Sequence, residues 1–166
     1  MVIALASAMS SLAWAEEFKI AVVDRAKVTK ESQAGRKGTA TLQEYMKVRQ
    51  KVVETDQADL VKFSEDYSKQ AAVLSPEARK DKEETFNKKR AEFQKKAGEL
   101  EREVQAKQQE LTMIFNQQLA DVVKAIAEKE KFVLIVDSSV GSATLYSNSA
   151  IDFTDRVIKE MDKANK

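Results

Sequence analysis

The chain has 166 residues, 33% of them charged and 43% hydrophobic, which is typical of a soluble protein with one or two domains and excludes a polytopic membrane protein. Its 28 basic and 27 acidic residues nearly cancel, so electrostatic binding of nucleic acid or lipid depends on local patches. Because the sequence contains neither cysteine nor histidine, it lacks the commonest metal ligands and nucleophiles, and we expect no enzymatic activity, metal or cofactor.

Residues 1–15 are uncharged and end in Ala13-Trp14-Ala15, a small-x-small sequence of the kind that precedes secretory cleavage. This pattern predicts an N-terminal signal peptide and an exported mature protein. A membrane anchor is the alternative, but a spanning helix needs about 20 apolar residues and this segment is shorter.

The mature chain opens with a β-branched run at residues 18–23, which predicts a first strand. A brief helical or turn segment is expected from Asp24 to about Ser32. Gly35 and Gly38 then mark the start of a long helix. A phosphate-binding loop is the alternative for these glycines, but the Walker spacing is absent, so a hinge or helix start is favoured.

Residues 36–115 are predicted to form an arm, a helical hairpin that turns at Pro76, the only proline in the chain. Proline is accommodated in the first turn of a helix but not inside one, and Ser75 before it is a suitable N-cap. On both sides, seam residues recur at alternating spacings of three and four, which is typical of a coiled coil. The predicted apolar seam consists of Met46, Val53, Leu60, Phe63, Phe86, Phe93, Leu100 and Val104.

Antiparallel helices require facing residues whose numbers have a nearly constant sum, and folding the chain at the proline satisfies this requirement. At ~1.5 Å per residue, helices of about 35 residues project roughly 50 Å, well beyond a small domain. The facing pairs are Met46 with Val104, Val53 with Ala97 and Phe63 with Phe86. The polar seam residues Arg49, Asp56, Arg90 and Lys107 are predicted to face the apolar residues Leu100, Phe93, Leu60 and Leu42, respectively.

Beyond the arm, the seam spacing changes to steps of four between Phe115 and Ile126, a stutter that marks where the helix leaves its partner. Residues 132–136 are the most apolar run of the mature chain and predict a buried strand. A third strand is expected at residues 143–147, and a last helix is expected after Asp152. That helix should bury Phe153, Val157, Ile158 and Met161 on one face.

The predicted fold class is α+β, with a small β-sheet body built from residues 16–35 and 116–166 and the arm inserted between its first two strands. About 65 residues bury only a marginal core, and three short strands leave open edges. Self-association through the sheet addresses both problems, so we expect an obligate homo-oligomer. The predicted core of the body and oligomer consists of Ile20, Val22, Phe132, Leu134, Ile135, Val136 and Leu145.

Basic residues on the second arm helix form a candidate site for lipopolysaccharide, an anionic membrane surface or nucleic acid. The alternative is ion pairing across the hairpin. Residues 54–70 contain five acidic and two basic residues, whereas the facing residues 81–97 contain six basic and four acidic ones. Complementary charge therefore accounts for most of the basic run. The candidate anion patch consists of Lys88, Lys89, Lys95, Lys96 and Lys107.

Carboxylate pairs on the arm were considered as acid–base dyads. They lie on an exposed helix with no apolar pocket to raise a pKa, so we expect no catalysis there. The aromatic residues of the outer arm are interpreted as seam residues, and the alternative is that some offer apolar contact to a bound chain. The carboxylates are Glu83, Glu84, Glu101 and Glu103, and the aromatic residues are Phe63, Tyr67, Phe86 and Phe93.

In the order of its elements, the sequence resembles the Skp/OmpH family of periplasmic chaperones. The resemblance rests on the opening strand 19–24, the long charged hairpin, the apolar run 132–137 and the closing segment 152–157. It implies a homotrimer whose strands form a central β body and whose three arms surround a cavity. Family members bind unfolded outer-membrane proteins there without ATP. The basic patch on the second arm helix of family members corresponds only to Lys96 and Lys107 in this chain. The chain is also nearly neutral, whereas the best-known member of the family is strongly basic.

We therefore expect an ATP-independent periplasmic holdase that prevents aggregation of unfolded outer-membrane proteins and recognises no specific nucleic acid. Weak contacts spread over a large concave surface hold an unfolded chain without selecting one structure. One alternative is a structural or adaptor coiled coil that docks a specific partner. Another is an anionic-lipid or nucleic-acid binder. Because the seam contains polar residues, we expect the arms to pack loosely and to splay.

Overall fold

Two long antiparallel helices dominate the computed structural model, which describes residues 18–164. The predicted signal peptide at 1–15 lies outside the described residues. Within 18–164, no helix combines the length and the apolar character needed to cross a membrane. In chain order the elements are β1 (Lys19–Val23), α1 (Arg25–Glu31), α2 (Gln33–Gln70), α3 (Pro76–Glu130), β2 (Phe132–Asp137), a 3-10 turn (Ser149–Ile151) and α4 (Thr154–Ala164).

The predicted hairpin at Pro76 is confirmed. Ser75 is the N-cap of α3, and its side-chain oxygen accepts a hydrogen bond from the backbone N–H of Ala78 at 3.2 Å. Pro76 occupies the first turn, where its missing N–H costs no helical hydrogen bond. α3 then runs back past the start of α2 and ends at Lys131, which adopts the left-handed conformation with φ of 61°. Residues 36–115 of α2 and α3, with the turn between them, thus form the arm.

A sharp break at Ser32 separates α1 from α2. Ser32 is fully buried, and its N–H donates to the carbonyl of Val28 at 3.0 Å. Its side-chain oxygen accepts from the N–H of Gly35 at 3.1 Å, so one residue caps the end of α1 and the start of α2. At Gly35 the helices approach so closely that an added Cβ would lie 1.9 Å from the carbonyl oxygen of Thr29. Glycine is therefore required sterically there.

The chain ends meet in a two-stranded parallel sheet. Ile20 pairs with Leu134, and the pairing continues in register to Val23 and Asp137. One residue of β2 is extra between the first two pairs, which is a β-bulge at Val133. Parallel strands need a long crossover connection, and here the connection consists of α1 and the whole arm. The predicted insertion of the arm between the first two strands is confirmed.

The prediction of a third strand at residues 143–147 is wrong for the single chain, because these residues pair with no strand among the described ones. The second edge of β1 is already occupied, since Val22 bridges to Asp152 and its carbonyl accepts from the N–H of Phe153 at 2.9 Å. Only the outer edge of β2 is left without a partner strand within residues 18–164. A short segment without a neighbouring edge does not form a ladder.

The core lies where the inner part of α3 packs against α1, α4 and β1. The predicted passage of α3 into the body at the stutter agrees with burial of Leu119 and Ile126, and the predicted apolar face of α4 agrees with burial of Val157. An aromatic contact closes the core, because Phe132 meets Phe153 edge-on with ring centroids 4.6 Å apart. The buried apolar residues that form this core are Val23, Val28, Leu119, Ile126, Val157 and Met161.

The predicted body core is only partly buried in the single chain. Val22 is buried, and Phe132, Ile135 and Val136 are partly buried. Ile20, Leu134 and Leu145 are 45%, 50% and 100% exposed in the single chain, so their place in the core of the body and oligomer depends on the assembly and stays a prediction. Ile20 and Leu134 are paired residues on the sheet face opposite Ile135, which packs against the helices, whereas Leu145 lies in the unpaired segment.

Asp137 joins the end of β2 to α1 and to the loop that follows. Its carboxylate accepts hydrogen bonds from the N–H and hydroxyl of Ser139 at 2.8 and 2.6 Å, and it pairs with the Arg25 guanidinium at 3.4 Å. Its backbone carbonyl accepts from the Thr144 hydroxyl at 2.7 Å. Burial acts to raise the pKa of Asp137, but the hydrogen bonds from Ser139 and the interactions with Arg25 outweigh it and hold the pKa below 3.8.

Substituting the two glycines of α2 separately tests the close approach of α1 and α2. We expect Gly35→Ala to lower the free energy of unfolding by about 1–3 kcal/mol, because the new methyl group overlaps the Thr29 backbone. Gly38→Ala is the matched control, since nothing lies within 4 Å of its added Cβ, and it should raise stability by up to about 1 kcal/mol. Urea unfolding followed by circular dichroism measures both changes. Equal effects of the two substitutions would contradict the packing at Gly35.

Lowering the pH should weaken the attachment of the loop after β2. Because the folded-state pKa of Asp137 is depressed, its contribution to stability is present above its ordinary value of 3.8 and is lost as the pH falls through the folded pKa. We expect Asp137→Asn to lower stability at pH 7 and to flatten the loss of stability below about pH 4. Asp59→Asn, which removes an exposed carboxylate from the arm, is the control. Parallel pH profiles for wild type and Asp137→Asn would refute this role.

Candidate functional site

The arm, residues 36–115, makes up the part of the described chain outside the body. Its first helix, α2, has 38 residues, which corresponds to roughly 57 Å. Between residues 36 and 115, all of which the structure describes, no residue is fully buried. The two helices of the arm pack against each other along a partly exposed seam. A structure without an interior of its own relies on few apolar contacts and is expected to open readily.

Most of the predicted seam residues lie between the two helices. Near the middle of the outer arm, the rings of Phe63 and Phe86 stack with centroids 6.1 Å apart and an interplanar angle of 15°. Met46 departs from the prediction, because it is 48% exposed and the neighbouring Tyr45 is partly buried. The partly buried seam residues are Val53, Leu60, Phe63, Phe86, Phe93, Leu100 and Val104.

A charged cluster near the inner end of the arm explains the preference for Tyr45. The guanidinium of Arg49 lies over the Tyr45 ring, 3.8 Å from its centroid, and its Nη2 is 3.1 Å from Oε2 of Glu103 on the other helix. The tyrosine hydroxyl lies 3.4 Å from the same carboxylate oxygen. The ring is thus covered by the cation while its hydroxyl reaches a polar partner, which a methionine cannot do.

A second charged contact lies farther along the arm, where Lys96 Nζ is 2.6 Å from Oδ2 of Asp56. Arg49 and Asp56 were predicted to face Leu100 and Phe93, but each reaches an opposite charge across the hairpin. Long polar side chains extend from the seam toward its edge, so their partners are not the residues directly opposite. Exposed pairs of this kind contribute about 0.2–1 kcal/mol each and chiefly favour one register.

The tip-proximal part of the arm contains a third polar link. The hydroxyl of Tyr67 donates to Glu83 at 2.8 Å. This hydrogen bond is the main reason why the pKa of Tyr67 is raised above 10.0; desolvation and the charge of Glu83 add to the shift, and Arg79 opposes it. Glu83 and Glu103 therefore serve as acceptors between helices. Among the described residues, no group of three or more carboxylates is placed to hold a metal ion.

Three lysines of the candidate anion patch have carboxylate partners. Lys96 pairs across the hairpin with Asp56, and Lys107 lies 2.9 Å from Glu110 on its own helix. Lys95 lies 4.0 Å from Glu99. Lys88 and Lys89 form no ion pair with another residue of the described chain. The geometry thus favours pairing for three of the five positions and leaves two adjacent lysines available for an external anion.

A groove at the base of the arm was not expected from the sequence. This root groove has a volume of about 790 Å³ and lies between α1, the inner parts of α2 and α3, and the loop after β2. Leu42, Ile114 and Phe115 contribute apolar surface, and Gln108, Asn116 and Gln118 contribute side-chain amides. Among the described residues that line it, none is acidic. The available signal was residues 111–120, ten consecutive uncharged residues in a chain that is 33% charged.

A second apolar surface lies on the body, at the face and outer edge of the sheet. Ile20 and Leu134 are adjacent there, and the bulge residue Val133 is 64% exposed. The neighbouring loop exposes Leu145 completely and Tyr146 by 83%. We call these five residues the sheet patch. A contiguous group of exposed large apolar residues beside an unpaired strand edge is typical of an interface.

Comparison with known proteins agrees with this architecture. The crystal structure of a Caulobacter crescentus CB15 protein, described as an OmpH-like outer membrane chaperone, superposes with a TM-score of 0.81 at 18% identity and covers 89% of this chain and 85% of that one. No curated protein matches the sequence. The profile of the family described as outer membrane protein (OmpH-like) matches residues 19–161. The match spans β1, the arm, β2 and nearly all of α4, and the chain therefore belongs to the OmpH-like, or Skp/OmpH, family.

Proposed function

We propose that this protein is an ATP-independent holdase chaperone that is exported to the periplasm, binds unfolded outer-membrane proteins between its arms and prevents their aggregation. The observation that carries the proposal is an arm of two long helices with no fully buried residue, fixed to a compact body. Membership of the OmpH-like family supports it, as does the fold shared with the Caulobacter crescentus protein. The proposed export depends on cleavage of the signal peptide at residues 1–15.

The proposed assembly is a homotrimer in which the sheet patch is the subunit interface. The outer edge of β2 needs a partner, and residues 143–147 form an uncharged segment of irregular structure without a partner strand in the single chain. Pairing of this segment with β2 of a neighbouring copy would give hydrogen-bond partners to the edge of β2 and to the segment, and it would cover Leu134 and Leu145. The body is then residues 16–35 and 116–166 of each copy, and the three arms, residues 36–115, enclose the cavity.

The composition of the arm suits weak and exchangeable contacts. Its seam is partly exposed throughout, and three polar links hold the helices in register without a dry core. Loss of one such contact costs little, so the arms can adapt to clients of different size. A holdase needs this property because it retains a chain without stabilising one of its structures.

Contact with lipopolysaccharide or an anionic membrane surface is a second candidate function. The observation that favours it is the adjacent pair Lys88 and Lys89, which lack an ion pair among residues 18–164. Such a surface would act through charge alone, so its binding should weaken steeply with salt. The other three lysines of the patch would contact the anionic surface only by giving up their present carboxylate partners; they are Lys95, Lys96 and Lys107.

Subunit association is tested by sedimentation equilibrium on the chain without residues 1–15. We expect a trimer for the wild type, and an increase of about tenfold or more in the dissociation constant for Leu134→Lys, because a charge would be buried in the interface. Val61→Lys on the arm is the control, since Val61 is 51% exposed and Leu134 is 50% exposed. A monomeric wild type, or equal effects of the two substitutions, would remove the basis for an enclosed cavity.

Holdase activity is tested by light scattering when a β-barrel outer-membrane protein is diluted out of urea. We expect suppression of aggregation at about one trimer per client without ATP, because the client is held away from its neighbours. Leu134→Lys should lose much of this suppression, whereas Val61→Lys should retain it. Normal aggregation in the presence of the wild type would favour a structural adaptor. Binding that is abolished by moderate salt and is independent of the client's folding state would indicate an anion binder.

A further inference from the structure

The root groove is lined in part by an uncharged stretch of α3. Residues 111–120 are ten consecutive uncharged residues on α3, whereas the rest of the arm is rich in charge. Ile114, a large apolar residue of this stretch that lines the groove, is 45% exposed. About 790 Å³ lies within the size range of ligand-binding clefts, which is roughly 300–1,000 Å³. The groove is thus large enough and apolar enough to hold a ligand.

The polar groups of the groove favour a peptide as the ligand. The side-chain amides of Gln108, Asn116 and Gln118 make no hydrogen bond with other residues in the range 18–164, although they line the groove. Each amide offers donors and an acceptor, which matches the alternating N–H and C=O groups of an extended backbone. An acyl chain would use the apolar surface but would leave these amides unused. The amides therefore distinguish a peptide from a lipid.

The dimensions fit a short extended segment. Gln108 and Gln118 lie ten positions apart on α3, which is roughly 15 Å along the helix axis. An extended chain rises about 3.3 Å per residue, so four or five residues span this distance. Two basic residues line the groove. Arg25, the first residue of α1, is paired with Asp137 at 3.4 Å, and Lys37 is exposed, so its ammonium group can remain in solvent. The groove offers no carboxylate to a basic side chain, and its apolar lining makes burial of any charged side chain costly.

We propose that the root groove binds an extended, uncharged segment of four or five residues from the unfolded client, with apolar side chains on Ile114 and Phe115 and the client backbone hydrogen-bonded to the amides of α3. This inference rests on the proposed holdase function and deepens it. It assigns the arm two kinds of contact. The outer arm adapts to the client, and the groove at its base selects the uncharged alternating sequences typical of β-strands.

Fluorescence anisotropy with a labelled, end-capped Leu-Thr-Leu-Thr-Leu peptide tests the inference on the intact trimer. Ile114→Asp should weaken binding about tenfold or more, because a carboxylate would be desolvated under the peptide. Val48→Asp is the matched control, since Val48 is 46% exposed on α2 and does not line the groove, and its affinity should stay within about twofold of the wild type. Circular dichroism checks that both variants fold.

Two further probes test the hydrogen bonds. A peptide with alternate N-methylated amides keeps its apolar side chains but loses donors, and it should bind about fivefold to tenfold more weakly. Asn116→Leu should reduce the difference in affinity between the unmodified and the N-methylated peptide, because it removes one of the amides and leaves the groove apolar. Equal binding of the two peptides to the wild type would overturn the proposed backbone recognition. Palmitate that binds in the groove while the peptide does not would also overturn it.

Failure of this inference and failure of the holdase function give different results. If the wild type suppresses client aggregation but Ile114→Asp binds the peptide normally, the groove is not the peptide site and the holdase function stands. If the wild type binds the peptide through the groove but does not suppress aggregation, the holdase function fails and peptide binding stands. If Ile114→Asp dissociates the trimer and the wild type does not bind the peptide, the groove is a subunit contact and the inference is overturned.

Discussion

Parallel pairing between β1 and β2 is the interaction on which the rest of the structure depends, because it joins the two ends of the chain and fixes both ends of the arm. Parallel strands cannot be connected by a tight turn, so the crossover must be long. In this protein the crossover is a projecting hairpin and not a helix packed on the sheet. The body therefore acts as a clamp at the base of the arm, and the core around Leu119 and Ile126 holds α3 where it enters that clamp.

The body and the arm differ in how tightly they are packed. The body contains the fully buried side chains, the close contact at Gly35 and the hydrogen-bond network of Asp137. The arm has a seam of partly buried apolar residues and a few polar links between helices. The body is therefore a rigid base and the arm an adaptable surface, which suits the binding of unfolded chains.

The sequence was sufficient to predict the features that depend on local rules. Ser75 and Pro76 placed the hairpin, the spacing of apolar residues placed most of the seam, and Val157 marked the buried face of α4. It did not predict that Tyr45 would replace Met46, because that choice depends on the lateral reach of Arg49 toward Glu103 on another helix. Apolar spacing defines the face of a helix but not where long polar side chains end.

The errors in the body have a different cause. Ile20, Leu134 and Leu145 stay predicted core residues of the oligomer, because burial of their sheet face requires surface that one chain does not provide. The third strand was wrong for the same reason, since a strand needs a neighbouring edge and not only a suitable composition. The root groove was missed because three helices and a loop form it together, although its uncharged stretch on α3 was visible.

The distance in sequence between β1 and β2 has a consequence for biogenesis. Lys19 pairs with Phe132, so about 110 residues of chain separate the two strands. Closing so long a loop in a disordered chain is entropically costly, whereas helices form from neighbours in fractions of a microsecond to microseconds. Formation of the hairpin brings the two strand segments together and shortens the loop that remains to be closed. The expected folding order is arm first and sheet last, so the arm guides the folding of its own body.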